Sequence, residues 1–298
     1  MSELFEEVLD LPDGKAERRY GSLVGLDEVK ERVEKEAEML LRPERLDEWS
    51  MKHHGHVVAA AERFKRRPPL LIFAGDVGTG KTTLAETFGD EVARTLGMDV
   101  RVYRLSLRSR GSGAVGEMTG LIASAFDEIG QAAAKAKSVG HVLVIDEADA
   151  LAQSRALGQM HHEDRAGVNA IIRGIDQVTE DDRRILIVMC TNRIEALDPA
   201  VRRRAAAEFR FERPTPEQRA EVFRSGLDGT DIDEEQVKQL AEMTGHGDLT
   251  YGYTYSDLVD RVIPAAVVAA YPDRPLTFEI IEEQIKKHAP TAPFSPES

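Results

Sequence analysis

Residues 70–83 read Leu-Leu-Ile-Phe-Ala-Gly-Asp-Val-Gly-Thr-Gly-Lys-Thr-Thr, an apolar strand running without a break into a glycine-rich loop. The loop fits G-x-x-x-x-G-K-[ST] at Gly75, Gly80, Lys81 and Thr82. Its glycines let consecutive backbone N–H groups turn inward around phosphate oxygens, a conformation that side chains would obstruct. The candidate phosphate-binding set is therefore Asp76, Val77, Gly78, Thr79, Gly80, Lys81, Thr82 and Thr83. Lys81 would set a point charge against the β- and γ-phosphates, and the Thr82 hydroxyl would ligate Mg2+. Leu84, Phe88, Val92 and Leu96 follow four apart. That spacing predicts a helix whose N-terminus meets the anion. A chain built this way binds a nucleoside triphosphate, with ATP as the expected ligand.

A second motif follows at His141-Val-Leu-Val-Ile-Asp146-Glu147-Ala-Asp149. A strand of this kind delivers Asp146 and Glu147 to its C-terminal edge, where ligands collect in open α/β sheets. Two carboxylates with different tasks are needed there. Asp146 would hold Mg2+ through its water shell, and Glu147 would polarise the attacking water. Asp149 reads as a helix cap. A third strand, Ile185 to Cys190, ends in Thr191-Asn192-Arg193, and the Asn192 amide is placed to orient that water. A fourth segment, Leu197-Asp-Pro-Ala-Val-Arg202-Arg203-Arg204, brings three arginines just outside the nucleotide sheet. Arginine stabilises charge on a transferring phosphoryl group and can do so from a neighbouring subunit.

The rest of the pattern alternates strands (Val100–Leu105, Val142–Ile145, Ile185–Cys190, Ala207–Phe211) with helices, one carrying Ile122, Phe126, Ile129 and Ala133 and another spanning 166–178. Continuous apolar strands mark a parallel sheet covered on both faces. Strand signals stop near Arg213-Pro-Thr-Pro216, beyond which 216–226, 234–244, 255–271 and 277–288 read as helices. The expected fold is α/β, a P-loop NTPase parallel sheet sandwiched by helices, followed by a small all-helical lid. The expected division is a flexible segment 1–20, a nucleotide-binding domain 21–213, a lid 214–289 and a disordered tail 290–298. Residues Leu23 to about Arg42 read as one helix. The histidines of Lys52-His53-His54-Gly55-His56 lack a well-spaced acidic or cysteine partner for a metal.

The formal net charge of −14 over 298 residues argues against a protein built to grip nucleic acid, which carries a broad basic surface. No apolar run approaches the roughly 20 residues of a membrane span. The start, Met-Ser-Glu-Leu-Phe-Glu-Glu, lacks a signal peptide's basic and apolar regions. The lone cysteine, Cys190, lies in an apolar run and reads as a buried small hydrophobe in a reducing compartment. These features together predict a cytoplasmic protein. An Asp-Glu-Ala-Asp string also occurs in RNA helicases, but no second sheet domain accompanies it here. No H-E-x-x-H is present for a built-in protease.

Taken in order, the phosphate loop, Asp-Glu strand, Thr-Asn strand end, Asp-Pro-Ala-x-Arg segment and helical lid resemble the AAA+ ATPases over about residues 20–288. Gly21-Ser-Leu-Val-Gly25-Leu-Asp-Glu-Val-Lys is similar to the entry segment that packs near adenine in that family. The resemblance implies a homo-oligomeric ring, usually a hexamer, with ATP at subunit interfaces. Gly167 to Val178 further resembles the segment after the Asp-Glu motif in the Pch2/TRIP13 group. That group remodels HORMA-domain proteins, and its bacterial members accompany cyclic-nucleotide antiphage signalling operons. The expected partner is thus a client protein of HORMA type. Aligned to that group, Arg204 is the trans-acting finger; aligned to the broader AAA pattern, Arg203 is. Two departures stand out. The expected pore loop reads Ala114-Val-Gly-Glu117 with no aromatic residue, leaving grip to Val115, Met118, Arg108 and Arg110. The lid position that holds an arginine in the Pch2/TRIP13 group holds Leu258, with Arg261 one turn on as a possible substitute. Other functions open to this architecture are a DNA-transaction ATPase, such as a loader or transposition regulator, and a nucleotide switch without turnover.

Overall fold

The structure, a computed structural model, describes residues 4–106, 117–151, 162–180, 184–246 and 251–294. The expected pore-loop residues Arg108, Arg110 and Val115 lie outside these. By its internal contacts the chain divides into two units. One comprises Met1–Ser22, Glu28–Ala74 and Thr82–Arg210; the other comprises Leu23–Asp27, Gly75–Lys81 and Phe211–Ser298.

The first unit is built on a six-stranded sheet. Its strands are β1 (Glu7–Leu11), β2 (Leu70–Gly75), β3 (Val100–Ser106), β4 (Gly140–Asp146), β5 (Ile185–Thr191) and β6 (Ala207–Phe211), in the order β1-β3-β4-β5-β2-β6. The pairs β3–β4, β4–β5 and β2–β5 are parallel. Leu70 to Phe73, Val142 to Ile145 and Leu186 to Met189 are each fully buried. Continuous apolar runs are what a strand covered on both faces requires. Helices α6 (Glu117–Lys135) and α7 (His162–Glu180) cover one face, with Ile122, Phe126, Ile129, Ile171 and Ile175 in a core with Ile72, Leu143, Ile145 and Ile187. They approach closely because Gly174 has no side chain; a Cβ there would sit 2.3 Å from the Phe126 ring. Met118, a candidate pore-loop grip, packs partly buried against this core instead. Helix α5 (Lys81–Leu96) buries Leu84, Phe88, Val92 and Leu96, the stripe its spacing predicts, and the short α8 (Pro199–Arg202), N-capped by Asp198, precedes β6.

The N-terminal stretch, expected to be flexible, carries a strand and a helix. β1 pairs antiparallel with β3 at the sheet edge, and α1 (Gly14–Gly21) is N-capped by Asp13, whose carboxylate accepts from the N–H groups of Lys15 and Ala16. Phe5, Leu11 and Ala16 are buried, and the Phe5 ring lies 5.1 Å from that of Tyr103. A few buried apolar anchors outweigh the polar composition that suggested disorder. The helix expected from Leu23 begins only at α2 (Asp27–Leu41), because Gly25 turns the chain at φ +72°. Two further helices, α3 (Glu44–His54) and α4 (Ala59–Lys65), fill the stretch before β2. His53 and His54 of α3 stand against the Trp49 ring.

In the second unit, α9 (Pro216–Gly226) and α10 (Glu234–Met243) each begin at a capping box, Thr215 with Gln218 and Asp233 with Gln236. The predicted 255–271 helix contains a π-helical turn (Asp257–Val262) leading into α11 (Ile263–Ala270). Pro264 has no N–H for the carbonyl four residues back, and the wider turn accommodates that loss. With α12 (Phe278–Lys287), these helices bury Phe223, Leu240, Leu258, Val262 and Ile281. Residues 290–294, expected to be disordered, are held here. Pro290 is buried, and the N–H of Thr291 donates to Asp257 at 3.0 Å. No helix among the described residues is long and apolar enough to cross a membrane.

Candidate functional site

The parallel register decides which residues reach the C-terminal edge of the sheet. Ala74 of β2 is level with Thr191 of β5, and Ile145 of β4 is level with Met189. β4 therefore ends in Asp146 beside β5, which ends one residue further at Thr191 with Asn192 next, while β2 leads in sequence into the phosphate loop. Three strand ends that are far apart in sequence, those of β2, β4 and β5, are brought to one edge by pairing alone.

Within the sheet unit, the Thr82 hydroxyl donates to Asp146 Oδ1 at 3.3 Å. This juxtaposes the two oxygens expected to hold Mg2+. Burial raises the Asp146 carboxyl above its ordinary value; the N–H of Glu147, 2.9 Å from Oδ1, and the charge of Arg104 oppose that rise. Glu147 follows with φ +53°, a left-handed conformation that an L-residue rarely adopts. The turn redirects the chain at the strand end, and strained backbone of this kind gathers at functional sites. Asp149, read from the sequence as a cap, is buried in a 3-10 turn (Ala148–Leu151), and its Oδ1 accepts from the N–H of Asn192 at 3.5 Å. It thereby links the carboxylate strand to the half-buried asparagine. No local pattern points to that contact.

The phosphate loop belongs to the second unit, and its glycines are required by close approach. A Cβ on Gly75 would lie 2.0 Å from the Phe211 carbonyl oxygen. Gly78 has φ +75°, and a Cβ there would lie 2.6 Å from Thr254 Oγ1; its carbonyl accepts from the N–H of Ser256. Gly80, at φ +93°, packs near Leu23 and Leu26. Glycines where a Cβ has no room are what a loop cradling a polyphosphate requires. The Asp76 carbonyl accepts from Lys81 Nζ at 2.6 Å and from Thr79 Oγ1 at 2.8 Å. Val77 is exposed at the loop's tip, while Thr79 is buried. Thr83, already in helix α5, accepts from Thr87 through its carbonyl.

The three arginines differ. Arg202 pairs with Glu208 at 3.2 Å, and Arg204 makes a two-pronged pair with Asp176 of α7 at 2.6 and 2.9 Å. Arg203 is exposed and points at no carboxylate within salt-bridge distance among the described residues. In the lid, Leu258 is fully buried in the helical core, which leaves no room for a charge, and Arg261 Nη1 bonds Asp257 Oδ1 at 2.7 Å. Burial pushes the Asp257 carboxyl upward, but hydrogen bonds from Thr291 and Thr254 outweigh it and hold the group below its ordinary value.

Residues 71–214 match the family described as "ATPase family associated with various cellular activities (AAA)". The chain belongs to this AAA ATPase family. Among its relatives is CD-NTase-associated protein 6 of Escherichia coli strain MS 115-1, 46% identical over 301 residues that cover 99% of this chain and 97% of that protein. The protein of the same name from E. coli strain KTE188 is 39% identical and covers 97% of each chain. A chain of the E. coli MS115-1 HORMA:CdnC:Trip13 complex superposes with a TM-score of 0.90 at 46% identity, covering 99% of both chains. Rhizobiales Trip13 superposes at 0.77 with 40% identity, covering 97% of this chain and 100% of that one.

Proposed function

We propose that this chain is an ATP-hydrolysing remodeller. It would work as a homohexameric ring in the cytoplasm and open a HORMA-domain partner in bacterial cyclic-nucleotide antiphage signalling. One observation carries the reading: end-to-end similarity, at TM-score 0.90, to a chain solved in complex with HORMA and CdnC. The loop, carboxylate and arginine geometry supports it.

In this reading, residues Asp76 to Thr83 bind the triphosphate, and Thr82 and Asp146 hold Mg2+. The metal, when bound, offsets phosphate charge. Glu147 orients the attacking water and accepts its proton, and Asn192 aligns that water from the adjacent strand end. The finger from the neighbouring subunit is Arg203. It is the exposed arginine of the three, whereas Arg202 and Arg204 are each engaged by a carboxylate of their own chain.

The test is steady-state ATP hydrolysis by the purified chain, alone and with a purified HORMA-domain protein. We expect stimulation by that protein and none by duplex DNA. Glu147→Gln should still bind ATP, stop hydrolysis and hold the partner in a stable complex. Salt-sensitive stimulation by DNA with no response to the HORMA protein would instead assign a DNA-transaction ATPase. Full biological function of Glu147→Gln would assign a switch.

A further inference from the structure

Asp76, the first variable residue of the phosphate loop, is held from two directions within its own unit. Arg213 Nε and Nη2 donate to Asp76 Oδ2 at 2.7 and 2.5 Å, and the N–H of Phe294, near the C-terminus, donates to Oδ1 at 3.1 Å. Arg213 also donates to the carbonyls of Gly252 at 2.5 Å and Thr291 at 2.8 Å, and its guanidinium lies 5.1 Å from the centre of the Tyr251 ring. Thr291 in turn donates to Asp257 through its N–H at 3.0 Å and its hydroxyl at 2.6 Å. The Arg213 and Asp76 side chains are only 15% and 18% exposed, so water screens this pair weakly. The Asp76 carbonyl is also the acceptor for Lys81 and Thr79. Moving Asp76 therefore moves the residues that meet phosphate.

We propose that Arg213 and the segment Pro290–Phe294 form a positioning clamp on the phosphate loop, keeping its N–H groups arrayed for the triphosphate. The proposal rests on reading that loop as the ATP site. A released loop must be ordered at the moment of binding, so affinity falls. The chemical step, set by Glu147 and Asn192, is untouched. Loss of the clamp should thus raise KM and spare kcat, the signature of lost uniform binding.

Phe294→Pro deletes the N–H donor, while Phe294→Ala keeps it. Thr291→Val deletes the hydroxyl, while Thr291→Ser keeps it. Arg213→Lys keeps the charge and loses the fork. We expect Phe294→Pro and Arg213→Lys to raise both KM for ATP and Kd for a fluorescent ATP analogue about tenfold, equivalent to 1.4 kcal/mol. Thr291→Val should shift both in the same direction, with kcat within about twofold of wild type in all three. Phe294→Ala and Thr291→Ser should stay near wild type. Equal KM and Kd in the Pro and Ala variants, or in the Val and Ser variants, would overturn the clamp. If Phe294→Pro fails to fold, the Thr291 pair and Arg213→Lys decide. Should the wild type bind the analogue but hydrolyse nothing, the ATPase reading fails, and the Kd series alone still decides the clamp.

Discussion

Glu147 is the one non-glycine residue at positive φ among the described residues, at +53°. Left-handed backbone costs an L-residue about 1–2 kcal/mol, because Cβ crowds the following carbonyl oxygen. Glycine escapes that cost but surrenders about 0.5–1 kcal/mol more chain entropy on folding. The difference predicts Glu147→Gly to be more stable than Glu147→Ala by about 0.5–1 kcal/mol. At an ordinary helical position the order is reversed, with alanine ahead by a similar amount. Both variants lose the same carboxylate, so side-chain contacts beyond Cβ cancel in the comparison. The difference corresponds to about 1–3 °C in Tm. It is measured by thermal melts and by urea midpoints at unchanged slope. Neither variant should hydrolyse ATP, and Glu147→Gln should be equally inactive without glycine's gain. An alanine variant as stable as the glycine variant would refute the strain.

Three further outcomes follow from the geometry. Gly78→Ala places a Cβ against Thr254 in a backbone that disfavours it, so ATP affinity should fall more than tenfold while the melting temperature changes by only a few degrees; calorimetric titration with ATP reads this. Mixed with Glu147→Gln subunits, Arg203→Ala subunits should restore part of the ATPase, whereas Arg204→Ala, which breaks a same-chain pair with Asp176, should chiefly affect stability. His141 is buried against Tyr103, and burial first, with Arg101 second, pushes its pKa down to about 4. The folded imidazole stays neutral where the unfolded one takes a proton, so stability is lost as pH falls from about 6.5 toward 4. Urea midpoints at pH 7 and pH 5 should reveal about 2 kcal/mol from this group, and His141→Phe should lack that share of the slope.

β2, β4 and β5 were legible because each is a continuous apolar run between polar turns, and the phosphate loop because its chemistry needs specific residues at fixed spacing. The buried stripe of α5 and the capping boxes of the lid are local patterns of the same kind. β1 was not legible. Its five residues, EVLDL, have a weak alternation, and only pairing with β3, about ninety residues on, gives them a partner. The contacts of residues 290–294 were not legible for a similar reason. Its prolines signal the absence of helix or strand, not the absence of partners, and Thr291 and Phe294 are held through hydrogen bonds that no local pattern encodes.

A parallel sheet, a triphosphate loop, a pair of carboxylates, a polar strand end and the family that combines them can be read from residue order alone. That Leu23–Asp27 and the phosphate loop group with the helices beyond Phe211 emerges from the folded chain. The fold also decides that Asp76 is gripped by an arginine 137 residues away, that Glu147 sits in left-handed backbone, and that Arg204 is engaged where Arg203 is exposed. The division has a physical cause. Periodicity and motif spacing record what neighbouring residues require of one another, whereas a long-range hydrogen bond or a strained φ exists only once the closed fold supplies the partner and holds the geometry.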